Sequence, residues 1–215
     1  MNHAGEGVIK FHLEHTQTPA LPVEETAGLR AWFPILRQTD LVGQHPERYE
    51  GYAYGNISRR HGDGFIISCT QTSGKTTLLP DDFSLVTTFD AKANRLHSEG
   101  PCSPSSEAMT HGAVYQALPA AGAVFHVHSS LIWRQSKSLG LPETDPDVEY
   151  GTPEMAECVA ELLETRTFSD SLVFSMGGHE DGVVACAYTP EKAGLVLIKT
   201  LASAYQLSKN PAWSN

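Results

Sequence analysis

From Tyr49 to His128 the chain is cut by turn residues into short apolar runs, and that texture restricts its possible folds more than any other feature. Residues 52–58 and 64–68 read as neighbouring strands, with His61-Gly62-Asp63-Gly64 as the hairpin turn between them. Residues 69–80 read as a polar loop, 85–89 as another strand, and 122–128 as a strand of small and branched apolar residues. Helical patterns flank this block. Pro22 followed by Val23, Glu24 and Glu25 reads as a helix start, with acids near the positive end of the dipole. That helix would bury Leu29, Trp32, Phe33 and Leu36, with a kink or interruption expected at Pro34. Residues 105–118 read as a helix with Ser105 or Ser106 as N-cap, and 152–163 as a helix capped by Thr152 with Pro153 in its first position. Residues 172–175 and 183–188 read as strands, and 190–207 as a closing amphipathic helix. Ahead of all of these, residues 8–14 alternate, with Ile9, Phe11 and Leu13 on one side, as in a half-buried strand. No repeat, low-complexity tract or linker divides the chain. The expectation is one α/β layered domain whose strand order the pattern leaves open.

Charge removes several function classes. The 215 residues carry 15 basic and 25 acidic groups, a formal charge of −10, and no Lys/Arg cluster. A nucleic-acid surface needs a basic patch and a polybasic membrane anchor needs the same, so neither partner is expected. Residues 1–7 are polar, without the apolar stretch of a secretory leader, and no apolar run approaches the roughly 18 residues of a membrane helix. The four cysteines, Cys69, Cys102, Cys158 and Cys186, are widely spread without a C-x-x-C pair. A reducing cytoplasmic setting with the cysteines as small core residues is the expectation.

The strongest chemical signal is Phe125-His126-Val127-His128-Ser129. Residues two apart on a strand share a face, so His126 and His128 can present their imidazoles side by side. Neutral imidazole is a good Zn²⁺ ligand, and a catalytic zinc takes three protein ligands and keeps one position open. Two unrelated histidines on a polar strand face would look the same. Gly177-Gly178-His179-Glu180-Asp181-Gly182 places another histidine between glycine-bearing turns at a strand end, where backbone approaches a ligand closely. His179 is thus a candidate third ligand, or a turn histidine bonding to solvent. Pro104-Ser105-Ser106-Glu107 sets two hydroxyls and free backbone N–H groups at a helix start, which suits a phosphate or carboxylate. Glu107 could equally be an ordinary first-turn acid, and His111, four residues on, reads best as a local hydrogen-bonding group. Ser73-Gly74-Lys75-Thr76 has the ending of a P-loop, but Cys69 stands where the first glycine is required.

Taken in order, Gly55-Asn56-Ile57-Ser58, Thr72-Ser73-Gly74, Pro104-Ser105-Ser106-Glu107, Ala123-Val124-Phe125-His126-Val127-His128-Ser129, Tyr150-Gly151-Thr152-Pro153-Glu154 and Gly178-His179 resemble the class II aldolase/adducin family. The resemblance covers roughly residues 25–207. It implies a three-layer α/β/α domain with a central, mainly antiparallel sheet; that domain is expected over residues 21–210, and residues 1–20, outside the matched part, are expected as an N-terminal strand extension. It also implies a homotetramer with active sites near subunit interfaces, and a divalent metal, usually Zn²⁺. By matching position, His126, His128 and His179 would hold the metal and Glu107 would be the acid/base carboxylate. Asn56, Ser73, Gly74, Ser105 and Ser106 match positions that hold the substrate phosphate in the sugar-phosphate enzymes.

The implied activity is that of a metal-dependent lyase, cleaving a small, phosphorylated hydroxy-carbonyl compound through a metal-stabilised enediolate. Dehydration, epimerisation and decarboxylation share that intermediate, and an adducin-like assembly module shares the fold. The chain departs from the family pattern at several places. Ala53 stands where a threonine is often found, and Lys75 where an apolar residue is commoner. The tyrosine proton donor of the aldolases has no counterpart between His128 and Tyr150. Glu180 and Asp181 follow His179 where many members have glycine directly.

Overall fold

The computed structural model describes residues 8–208, which form ten strands and five α-helices. In chain order these are β1 (His12–Gln17), α1 (Val23–Gln38), β2 (Gly43–Gln44), β3 (Ala53–Tyr54), β4 (Asn56–His61), β5 (Gly64–Ser68), β6 (Phe83–Asp90), β7 (Arg95–Gly100), α2 (Ala108–Ala117), β8 (Ala123–His128), α3 (Ser130–Arg134), α4 (Pro153–Glu164), β9 (Ser171–Ser175), β10 (Gly182–Ala187) and α5 (Pro190–Ser208). Residues 1–7 of the expected N-terminal extension, and 209 and 210 at the far end of the expected domain, lie outside the described residues.

Eight strands make one sheet in the order β1-β7-β6-β5-β4-β8-β10-β9, while β2 and β3 form a separate pair. Within the large sheet β1 runs parallel to β7, and every other pairing is antiparallel. Strand alternation sorts the core into two faces. Ile57, Phe125, Val127, Val183 and Ala185 pack on one side with Leu29, Phe33 and Leu36 of α1 and Leu197 of α5. Phe65, Ile67, Val124 and Val184 pack on the other with Met109 and Val114 of α2 and Met155 and Val159 of α4. The result is the expected three-layer α/β/α arrangement. The strand expected over residues 8–14 forms instead over His12–Gln17, where β1 extends the same sheet at its edge. Among the described residues no helix is long and apolar enough to cross a membrane.

Several local expectations are corrected. Helix α1 runs unbroken through Pro34. Buried Leu29, Phe33 and Leu36 lie on both sides of the proline, and at about 1.5–3 kcal/mol each their burial outweighs the roughly 3 kcal/mol of an interior proline. The strand expected over 52–58 is split at Gly55 into β3 and β4. Gly55 has φ +77, and a Cβ there would meet Val42 Cγ1 at 2.7 Å and the His126 carbonyl at 3.2 Å. Helix α2 starts at Ala108 rather than at the serines, because residues 105–108 close a turn first, with the Ala108 N–H donating to the Ser105 carbonyl. The cysteines do not share one role. Cys69 and Cys102 form a disulfide with Cα atoms 5.9 Å apart, Cys186 is buried and Cys158 is half-buried. The antiparallel β5-β6-β7 meander returns the chain to where it left, which sets the two bonded cysteines side by side although 33 positions separate them.

Candidate functional site

The two-residue period of β8 decides where the site lies. Phe125 and Val127 face the α1/α5 core, so His126 and His128 face the other layer, towards the start of α2. Across the sheet His126 stands opposite Asn56 of β4 and Val184 of β10, and His128 stands opposite Gly182. His179 arrives from the tight turn between β9 and β10, where its N–H donates to the Met176 carbonyl and its own carbonyl accepts from Gly182. That turn needs glycine, since a Cβ on Gly178 would lie 1.8 Å from the Val148 carbonyl oxygen.

The three imidazoles therefore meet. Ring centroids are 5.0 Å apart for His126–His128, 5.0 Å for His126–His179 and 4.8 Å for His128–His179. One ligand atom from each lies within 4.8 Å of the others, and all three residues are buried. Burial, reinforced by the neighbouring histidines, holds His126 and His128 well below the usual histidine range. Neutral imidazole is the form that binds a metal. Nε2 of His126 is buried with no hydrogen-bond partner, an expensive arrangement that a cation in the cluster would relieve. The donor set suits a divalent ion such as zinc.

Glu107 lies beside this cluster, 1% exposed, with Oε1 4.0 Å from Nδ1 of His179 and Oε2 accepting from the Thr110 hydroxyl at 3.1 Å. It occupies the N-cap position of α2, yet its side chain makes no capping bond there. A carboxylate that is buried and next to the histidines is well placed to move protons.

The residues expected at a phosphate are brought into one neighbourhood. The disulfide, the Cys69–Pro104 bridge and the Ser105 N–H bond to the Ser68 carbonyl fasten the loop after β5 to the loop before α2. Ser73 joins them to the start of β4 by donating its hydroxyl to the Gly55 carbonyl at 2.6 Å. Ser105 Oγ accepts from the Glu107 N–H, Ser106 is 5% exposed beside it, and a Cβ on Gly74 would collide with Gln44 Oε1 at 2.1 Å. The Asn56 amide reaches His126 Nδ1 at 3.3 Å. Lys75 is paired with Asp82 at 2.6 Å.

Tyr150, which opens the Tyr-Gly-Thr-Pro-Glu segment, and several residues that carried no motif surround the histidines. Tyr150 stacks on His179 with centroids 4.2 Å apart, and Lys10 of the N-terminal segment sits 4.1 Å over the Tyr150 ring. Tyr49 meets His128 edge-on at 4.6 Å, Tyr54 lies 5.5 Å from the same ring, and Arg48 packs over both tyrosines. Burial, with hydrogen bonds to Asp181 and Asp40 respectively, raises the Tyr49 and Tyr54 phenols above the usual range, so both stay protonated.

Comparison with known proteins agrees with this architecture. Residues 45–206 match the sequence model of the Class II Aldolase and Adducin N-terminal domain. A methylthioribulose-1-phosphate dehydratase from Gluconacetobacter diazotrophicus is 41% identical over 101 residues, a match spanning 46% of this chain and 46% of that protein. Among solved structures, an L-fuculose 1-phosphate aldolase superposes with a TM-score of 0.68 at 18% identity, covering 91% of this chain and 90% of the other. YgbL from Escherichia coli, a putative aldolase/epimerase/decarboxylase, superposes with a TM-score of 0.61 at 21% identity, covering 88% and 93%. Those two likenesses are of fold. The matched segment runs from just after β2 into α5 and contains all three histidines and Glu107, so the chain belongs to the Class II Aldolase and Adducin N-terminal domain family.

Proposed function

We propose that the protein is a metal-dependent lyase acting on a small phosphorylated hydroxy-ketone. The observation that carries this reading is the buried meeting of His126, His128 and His179 with the Glu107 carboxylate at its side. A divalent ion held by the three histidines would supply Lewis-acid stabilisation of the charge that develops on the substrate's oxygens. Glu107 is then the group that takes a proton from the substrate and returns it. The loops bearing Ser73, Gly74, Ser105 and Ser106 bind the phosphate, giving binding energy remote from the bond that breaks. The substrate is thereby oriented with its carbonyl end towards the histidines.

Within this class, likeness to the dehydratase favours loss of water over carbon–carbon cleavage. In dehydration Glu107 removes the proton from the carbon next to the carbonyl and protonates the hydroxyl leaving from the following carbon. An enol results, which becomes a diketone. In cleavage the proton comes instead from that hydroxyl, and the adjoining carbon–carbon bond breaks. The test is to measure metal per chain in protein purified without a histidine tag, then to incubate the loaded protein with methylthioribulose 1-phosphate and L-fuculose 1-phosphate. One diketone retaining every carbon supports dehydration, and two carbonyl fragments support cleavage. Protein that neither contains nor takes up a divalent ion would overturn the whole reading.

A further inference from the structure

Among the described residues six non-glycine positions have a left-handed backbone, and four of them, Asp40, Tyr49, Glu50 and Asp181, belong to one patch beside His128. Bulky residues adopt that conformation at a cost of order 1–3 kcal/mol each and keep it only where the surroundings enforce it. At Tyr49 the enforcement is visible. Its ring meets His128 edge-on, its hydroxyl donates to Asp181 Oδ2 at 2.7 Å, and Arg48 donates to that hydroxyl at 3.1 Å. Arg48 is itself held by Asp40 at 2.7 Å and by the Tyr54 hydroxyl at 3.2 Å.

Asp181 works on both sides of this contact. It is 8% exposed, lies two residues beyond His179, and its carbonyl accepts the N–H of Ser129, the residue after His128. Its other carboxylate oxygen, Oδ1, is buried without a hydrogen-bond partner, so the Tyr49 hydroxyl is a principal compensation for enclosing this side chain. Asp181 thus ties the turn carrying His179 to the strand end carrying His128, and it is anchored to Tyr49, 132 positions away. This gives a role to one of the two acids that set the turn apart from its relatives.

We propose that Tyr49 is a positioning residue for the histidine cluster: its ring fixes the plane of His128, and its bond to Asp181 fixes the turn that presents His179. The proposal rests on the metal-binding reading above. Groups that orient metal-ligating histidines typically contribute ten- to a hundredfold in metal affinity.

The experiment is a cobalt(II) titration of the full chain, followed by the visible ligand-field absorption, for wild type, Tyr49→Phe, Asp181→Ala, the double variant and Asp181→Asn. Tyr49→Phe keeps the ring and removes the hydroxyl. It is expected to weaken cobalt binding by about ten- to a hundredfold and to shift the absorption band, with little change in the melting temperature of the metal-free protein. Asp181→Ala cuts the same bond from the other end, and the double variant should lose no more than the worse single one. Asp181→Asn retains an acceptor for the hydroxyl and should recover most of the loss. Wild-type affinity and an unchanged spectrum in Tyr49→Phe would overturn the proposal and leave the metal reading intact, and if that variant does not fold, the same result in Asp181→Ala does so. A wild-type protein that takes up no cobalt would instead overturn the metal reading and this proposal with it.

Discussion

Asn56 and His126 stand directly opposite each other on β4 and β8, with the side-chain amide 3.3 Å from the imidazole Nδ1. This is a contact with a candidate metal ligand, made by a residue whose matching position in the family implies phosphate binding. A neutral imidazole offers a lone pair at Nε2 only when Nδ1 carries the proton. The amide oxygen of Asn56, which has no other hydrogen-bond partner, is the group that can accept that proton when the amide turns. Asn56→Leu, which removes the acceptor, is expected to lower metal affinity by about ten- to a hundredfold, and Asn56→Asp to retain it. Competition with a chromophoric chelator measures both. A purely phosphate-binding Asn56 would give the opposite pattern, a raised KM with metal affinity unchanged.

The Glu107 carboxylate makes a different kind of prediction, because its surroundings tolerate an amide. Glutamine fills the same volume and can still accept from Thr110. Glu107→Gln should therefore keep the fold and the metal while kcat falls by about 10²–10⁴, the usual contribution of a positioned acid/base. Metal content, melting temperature and steady-state turnover on one preparation give the answer. Unaltered turnover would remove Glu107 from the proton-transfer role.

The Cys69–Cys102 disulfide closes a loop of 33 positions. Chain-entropy arguments give such a closure about 3–4 kcal/mol. In a domain of this size that corresponds to a melting temperature lower by roughly 10 °C after reduction. Melts with and without a dithiol reductant should show the difference in wild type, and none in the paired Cys69→Ser, Cys102→Ser variant. Because the bond fastens together the two loops offered to the phosphate, reduction should also raise KM more than it lowers kcat.

What could be read from the sequence followed from local periodicity. The alternation around Phe125 and Val127 put His126 and His128 on one face, and the glycines around His179 marked a turn at a strand end. Strand β7 escaped notice because Arg-Leu-His-Ser-Glu-Gly buries only its alternate positions Leu96, Ser98 and Gly100, a pattern with too few apolar residues to announce a strand. Helix α3 is a single capped turn, too short to show a helical period. Tyr49 was invisible for another reason. Its value to the site comes from Asp181, 132 positions away, and from a left-handed backbone that no residue at 49 or 50 advertises. Local pattern shows which face a side chain takes, whereas pairing between distant loops depends on the closed sheet.

His111 provides a test of the core behind the site. It is fully buried, its Nδ1 lies 2.6 Å from the Ser58 hydroxyl, and that hydroxyl also meets Tyr115 at 2.9 Å. Burial pushes its pKa down to about 3. Above the unfolded value of about 6.5 the ring is neutral in both states and adds no pH dependence. As pH falls below that, the unfolded chain takes up a proton that the folded protein refuses, so stability declines from about pH 6.5 towards 3. The decline reaches at most about 1.4 kcal/mol per pH unit from this one group, and the depressed pKa values of His126 and His128 act in the same direction. Urea unfolding of the metal-free protein at pH 7, 6, 5 and 4 should show this slope. His111→Gln, which cannot titrate, should flatten it by up to one proton relative to wild type. Equal slopes in the two proteins would mean that His111 takes up its proton in the folded state as readily as in the unfolded chain.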